Sequence, residues 1–420
     1  MIIKLLDLLS LHYRKVKIMK KILVVSATYM DLEISSNNRT NFIPHFLYEN
    51  GYEVELITSN FNHHRKEHVK KIEDRQYKIT LLPEIGYVKN VSIKRLLSIR
   101  SFNKNLKIYL ENKDQVDVVL AFVPPHNVAK VCHDFSKRIG AKFVVDVRDL
   151  WPEAFKMVIK NQILYNLLLF PLIVQANKTY KLADEIIAVS DLYRARATKY
   201  NRKTVGATIY LGTSLSEFDK YSNLQPAITK KDSITRIIYT GTLGNSYDLI
   251  TLFKAYDILK SIYSDNIVLD ILGSGPLEGK FKAFARQNNL DVNFHGRLEY
   301  KQMVAHLKQC DIVINPLVRN ASQSIINKHA DYAFSGLPVV SNQQTDEYVD
   351  LIEKYEAGFT VSPENHIEMA EKIKLLIDNK ELRIKMGENH RKMGVDLFDR
   401  DVIYSKLIDI IENGPNEETL

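Results

Sequence analysis

The sequence predicts an α/β protein of two domains, each a doubly wound parallel sheet, facing one another across a cleft. Three observations carry that reading. Short β-rich runs, apolar throughout, recur at 22–25, 54–58, 118–122, 143–147 and 185–189, and again at 237–240, 268–272, 312–315, 338–341 and 359–361. Strands of this kind belong to parallel sheets covered on both faces. Longer helical patterns separate them, and 420 residues exceed what one ordinary core holds.

Residues 1–18 read as an extension, either an upstream addition or a short amphipathic anchor. Lys4, Asp7, His12 and Arg14 interrupt any apolar run there, unlike a signal peptide. Met19-Lys20-Lys21-Ile22-Leu23-Val24-Val25 has the form of a natural start leading into a buried strand. The first domain then spans 19–212. A polar, irregular stretch containing Pro226 is the linker, 213–234. The second domain spans 235–385, and a helical tail, 386–420, runs to Asn413-Gly414-Pro415.

An apolar content of 45% and a charged content of 26% are those of a soluble globular chain. Cys132 and Cys310 have neither metal-site nor disulfide spacing and read as core thiols in a reducing cytoplasm. The net charge of +8 is uneven: residues 1–210 hold 34 Lys+Arg against 20 Asp+Glu, and the remainder 24 against 30. The first half is therefore expected to meet an anionic surface. Nucleic acid is set aside because there is no zinc-finger spacing, no aromatic RNA-binding strand and no basic tail. Anionic lipid fits better. Within 95–110, Arg100, Lys104 and Lys107 fall on one helical face and Ile99, Phe102, Leu106 and Tyr109 on the other. The apolar run 163–174 either dips into a membrane interface or faces the core, and no run reaches the ~18–20 residues needed to span a bilayer.

Ligands of open parallel sheets bind beyond the carboxyl ends of the strands, here in the cleft. The second half carries a series of such ends. Gly241-Thr242-Leu243-Gly244 and Gly273-Ser274-Gly275 offer backbone-lined turns suited to a phosphate. His295-Gly296-Arg297-Leu298 offers a backbone against which a base can lie. Lys328 and Asp331, three residues apart, share one helical face ahead of Gly336. Lys328 can neutralise a diphosphate and Asp331 can accept from a ribose diol; the bland alternative is a surface ion pair of about 0.2–0.5 kcal/mol.

The series GTLGNSYDL, ILGSGPLEGKF, HGRLEYKQM and NKHADYAFSGLPVV resembles the nucleotide-sugar domain of family 4 glycosyltransferases. DVRDLWPE at 146–153 and ADEIIAVSD at 183–191 are similar to the branch that builds bacterial capsule, exopolysaccharide and O-antigen chains. That resemblance implies the GT-B fold, two Rossmann-like domains. It implies transfer of a hexosyl or N-acetylhexosaminyl group, with retention, from a nucleoside-diphosphate sugar, UDP foremost, to a lipid-linked saccharide. It also implies no cofactor and no metal, since protein cations and helix N-termini stabilise the departing diphosphate. The implied location is cytoplasmic, peripheral on the inner face of the plasma membrane.

The chain departs from the family pattern in instructive places. Thr242 stands where an Arg is common, and Tyr247 or Asp248 near a common Lys. Gln323 and Asp331 replace a pair of glutamates. Losing both cations would add several kcal/mol, roughly, to the barrier unless another compensates; Lys328 is the first candidate and Arg319 the second. On the acceptor side, His126 after Val123-Pro124-Pro125 either orients acceptor or transferred sugar or is a structural loop histidine. Asp149 is a candidate for an acceptor or sugar hydroxyl. Arg148 and Arg39 are candidates for an acceptor phosphate, and Trp151 reads as packing. The missing cations motivate a rival reading, a catalytically silent GT-B subunit partnering an active transferase. A nucleotide-sugar epimerase on the same architecture is a third.

Overall fold

The computed structural model describes residues 19–29, 38–70, 72, 76–90, 92–113, 115–157, 159, 161–224, 228, 231, 233–319, 321 and 324–413. The extension expected over 1–18 lies outside them, as does Gln323. The first sheet contains β1 (Lys21–Ser26), β2 (Glu53–Ser59), β5 (Lys78–Leu82), β6 (Val118–Val123), β7 (Lys142–Val147), β8 (Glu185–Ala188) and β9 (Ala207–Thr208), in the order β5-β2-β1-β6-β7-β8-β9. The second contains β10 (Thr235–Thr240), β11 (Ile267–Leu272), β12 (Val292–Gly296), β13 (Ile312–Asn315), β14 (Val339–Ser341) and β15 (Gly358–Thr360), in the order β12-β11-β10-β13-β14-β15. Every pairing within these two sheets is parallel. A short antiparallel hairpin, β3 (Phe61–Asn62) with β4 (Glu67–His68), stands apart.

The uniformly apolar runs become strands because helices cover both faces of each sheet. Leu23, Val25, Val119 and Val145 pack on one side of the first sheet, and Ile22, Val24, Leu120 and Val144 on the other. The second sheet divides in the same way, with Ile237 and Leu269 on one face and Ile238 and Val313 on the other. Helices start where the sequence supplies caps: Ser190 Oγ accepts from Tyr193 N, and the Asp248 carboxylate from Thr251 N. Gly336, at φ 70°, ends the helix Asn327–Ser335 in the left-handed conformation.

In each sheet the strand order reverses at one place, between β1 and β6 in the first and between β10 and β13 in the second. Those switch points open crevices beyond the strand ends.

Two chain crossings join the domains side by side. Thr213 N donates to Phe398 O and Arg400 N to Thr213 O, each at 3.0 Å. Gly212 is required here: its φ is +57°, and a Cβ would stand 2.6 Å from Phe398 O. The stretch read as linker holds a helix, Leu215–Ser222, whose Phe218 is buried against Phe334 of the second domain. The tail does not stay with the second domain. Ile403, Tyr404, Leu407 and Ile410 return to the core of the first sheet.

Candidate active site

The loops at the second switch point are packed backbone on backbone. Leu243 N donates to Ser274 O and Leu277 N to Leu243 O, both at 2.9 Å. A Cβ on Gly273 would meet Gly241 O at 1.8 Å, and one on Gly275 would meet Leu243 O at 2.4 Å. Gly273 and Gly275, expected to bring backbone close to a nucleotide, are thus required by the approach of one loop to the other. Gly244 is buried and Thr242 exposed in the same turn.

Lys328 lies against this turn. Its Nζ stands 3.0 Å from where a Gly241 Cβ would be, 4.4 Å from the Tyr239 ring centroid and 3.9 Å from that of Tyr247. The side chain is 9% exposed and its ammonium has no hydrogen-bond partner. Burial lowers its pKa well below the ordinary lysine value. No internal anion supports its charge, so an incoming anion would be the partner that restores it. The helix Asn327–Ser335 also points its positive end toward the crevice, where Asn327 lines the interdomain cavity.

One turn on, the Asp331 carboxylate accepts from Tyr300 Oη at 2.8 Å. Burial raises its pKa to about 7, against the opposing effects of the Tyr300 hydroxyl and the Arg400 charge. The folded protein therefore keeps a proton that the unfolded chain releases from about pH 4 upward. The stability this group contributes is greatest on the acid side and falls as pH rises toward about 7. Asp331→Asn should flatten that segment of the stability–pH curve, measured by urea unfolding between pH 5 and 8; an unchanged slope would refute the assignment.

Across the cleft, a cavity of about 360 Å³ opens at the first switch point. Ala27 and Thr28 after β1, Pro124 and Pro125 after β6, and Arg148 and Asp149 after β7 line it, together with Arg95, Tyr87 and Trp151. Arg148 sits 5.2 Å from the Phe122 ring and donates to Thr40 Oγ1. Burial lowers its pKa while Asp146 opposes that shift. Asp149 Oδ1 accepts from Leu150 N at 2.9 Å, and burial raises its pKa. Arg95 spans the Tyr87 and Trp151 rings at 5.5 and 5.1 Å, with Nε buried and without a hydrogen-bond partner. The cavity thus presents three guanidiniums, those of Arg39, Arg95 and Arg148, two carboxylates, those of Glu84 and Asp149, and an aromatic wall.

The remaining expected residues are committed to other contacts. Arg39 lines the same cavity but does not reach out to a phosphate. Its Nε and Nη2 grip Asp146 at 2.7 and 3.1 Å, and Nη1 donates to Ile209 O at 2.8 Å and Tyr404 Oη at 2.9 Å. Burial opposes its charge, yet Asp146 and Tyr404 hold its pKa above the ordinary arginine value. His126 is turned inward: Nε2 pairs with Trp151 O at 3.0 Å, the ring packs edge-on against Tyr180, and burial lowers its pKa to about 4. It braces the Trp151 loop as a neutral imidazole and has no free approach to the cleft. Arg297 is exposed, and Leu298 packs on the second core. Arg319 is exposed and pairs with Glu364 at 3.2 Å, on the rim of a second cavity of about 400 Å³.

Sequence reasoning passed over Arg95, Tyr239, Asn327 and the cleft-facing side of Trp151, since nothing local marks them, and met Tyr247 only as standing near a missing cation. It also missed Glu347, whose carboxylate accepts from Asp191 N at 2.7 Å, Leu192 N at 3.2 Å and Ser324 Oγ at 2.8 Å. That contact ties the second domain to a helix start of the first.

With this geometry in place, comparison with known proteins is informative. Residues 222–393 match the family described as Glycosyl transferases group 1. No curated protein matches the chain. Among solved structures, the chain is similar to the Anabaena protein HepE in complex with UDP: 14% identity, 94% of this chain and 99% of that one covered, TM-score 0.67. A glycosyltransferase of Rickettsia africae matches at 16% identity over 94% and 98% of the two chains, TM-score 0.67. WaaG, a glycosyltransferase involved in lipopolysaccharide biosynthesis, matches at 16% identity over 94% and 100%, TM-score 0.66. These likenesses show the GT-B fold of two Rossmann-like domains. On that fold, the group 1 match across the second domain supports glycosyltransferase activity.

Proposed function

We propose that the protein is a retaining glycosyltransferase of family 4 type. In this reading it moves a sugar from a nucleoside-diphosphate sugar, UDP-linked foremost, to a lipid-linked glycan in bacterial surface polysaccharide synthesis. The observation that carries the reading is the buried, hydrogen-bond-free ammonium of Lys328 at the second switch point, across the cleft from the Arg148–Asp149 cavity. Lys328 and the start of its helix take the developing diphosphate charge, so the leaving group needs no metal. Asp331, once ionised, accepts from the ribose. Asp149 accepts from the acceptor hydroxyl, and Arg148 and Arg95 hold an anionic group on the acceptor. HepE, solved with UDP, supports the donor class.

Calorimetric titration with UDP and a panel of nucleotide sugars tests the donor; no binding by any of them sinks the reading. The acceptor is tested by mass spectrometry of the lipid-linked glycan that accumulates in a deletion strain. The exposed Thr242, at a position where a cation is common, favours one rival, a catalytically silent partner subunit. UDP binding without turnover on any accumulated glycan would select it.

The membrane part of the proposal rests on the first domain's surface. No helix among the described residues is long and apolar enough to cross a membrane. The helix Gln162–Leu182 nevertheless leaves Ile163, Leu167, Leu168 and Phe170 exposed, and Ile93, Leu96 and Leu97 are exposed on the helix Ile93–Glu111. Contacts from Arg95 to Trp151, Trp151 to Phe155 and Lys156 to Tyr165 link the two regions. Lys94, Arg100, Lys104 and Lys107 are exposed beside them. Each such cation adds about 1 kcal/mol toward an anionic surface. Vesicles rich in anionic lipid should sediment the protein and neutral vesicles should not, and Leu167→Ser with Phe170→Ser should abolish binding with thermal stability retained. Equal binding to both vesicle types would refute the surface.

A further inference from the structure

The ammonium of Lys328 is held by two rings and by no carboxylate. Tyr239 lies in β10, and its hydroxyl donates to Thr242 O at 2.8 Å. Tyr247 lies in the following turn, where its N donates to Gly244 O at 3.1 Å and its backbone bridges to Leu317 after β13. The two rings meet edge to face, with centroids 5.7 Å apart and planes at 63°. Each is thus fixed by the loops that flank the switch point, and Nζ lies over both. Lys328 enters no ion pair among the described residues.

This arrangement differs in kind from a salt bridge. A carboxylate partner would neutralise the ammonium in the empty site and compete with an incoming anion. A ring attracts a cation through its quadrupole, carries no net charge, and excludes water from the position. The amino group is kept in place with no internal anion, and a bound anion would favour the charge that burial opposes.

We propose that Tyr247, seconded by Tyr239, is a positioning residue that holds the Lys328 amino group without a counter-ion, so that the diphosphate of the donor is its first anionic partner. The proposal deepens the nucleotide-sugar reading and rests on it. It also accounts for the departure at Thr242, since a single caged cation takes the place of two cations carried by the turn itself.

The test is UDP affinity by calorimetry on the full chain and its variants Y247F, Y247L, K328M and K328M/Y247L, with uridine as a phosphate-free control. Y247L should weaken UDP binding about tenfold, while Y247F, which keeps the ring, stays within about twofold of the parent. Uridine binding should not change with Y247L. In the K328M background, Y247L should have no further effect, because Tyr247 acts only through the ammonium. UDP binding that is unaffected by Y247L overturns the proposal alone, as does an equal loss in the K328M background or on uridine. No UDP binding by the parent protein overturns the nucleotide-sugar reading and this proposal with it. Should Y247L not fold, Tyr247→Met fills the volume without a π face and takes its place.

Discussion

Lys328→Met should lower sugar transfer by about 10²–10³-fold while leaving thermal stability unchanged or higher. The two halves of that expectation have separate causes. The side chain is 9% exposed, and its Nζ has neither an ion pair nor a hydrogen bond. Its burial lowers the ammonium pKa, so the unfolded chain binds the proton more tightly than the folded one. Between the lowered value and the ordinary one near 10.4, stability therefore rises with pH, and the cation works against folding below that window. Methionine keeps the unbranched apolar stem and removes the charge, so folding should not suffer. Transfer should suffer, because the departing diphosphate would face one cation fewer in a site shielded from water. The measurement pairs initial rates with a thermal melt. Retained activity would remove Lys328 from the mechanism, and a large fall in melting temperature would recast it as structural.

Arg39→Met should do the reverse, destabilising the fold by about 3–5 kcal/mol. Both side chains of the Arg39–Asp146 pair are 0% exposed. Losing the guanidinium leaves the Asp146 carboxylate buried without its cation, which is far more costly than losing a surface pair. Three further acceptors lose their donor at once, Ile209 O and Tyr210 O where the chain leaves the first domain and Tyr404 Oη where it returns. Arg39 thus pins the crossing segments to β7, and its removal should loosen the tail from the first sheet. Urea unfolding measures the loss. The double variant Arg39→Met/Asp146→Leu should recover part of it, because no charge is then left buried. A single variant as stable as the parent would refute the account.

The pair of predictions marks where local reading succeeds and fails. Lys328 and Asp331 were legible because a helical spacing of three puts them on one face, whatever the fold. Arg39 was not, because its partners Asp146, Ile209 and Tyr404 are brought together only by the fold. The edge strand Lys78–Leu82 is partly exposed along its length and lacks the fully apolar signature of the central strands, so it escaped notice. Val292–Gly296, at an edge of the second sheet, is likewise only partly buried, and only its end at Gly296 was legible. His126 sits at a strand end as expected, yet the direction of its ring depends on Tyr180 and Trp151.

By itself the sequence determined the layered α/β class, the central strands, and the helix that carries Lys328 to the cleft. These follow from apolar periodicity, turn residues and helical spacing, which act over a few neighbouring residues. Only the tertiary structure decided which cation is stored between rings and which is spent on a buried carboxylate, which apolar helix stays uncovered, and where the tail docks. A charge is defined by its partners and a face by what covers it, and in this chain those partners lie as far as 365 positions away, as Arg39 and Tyr404 do.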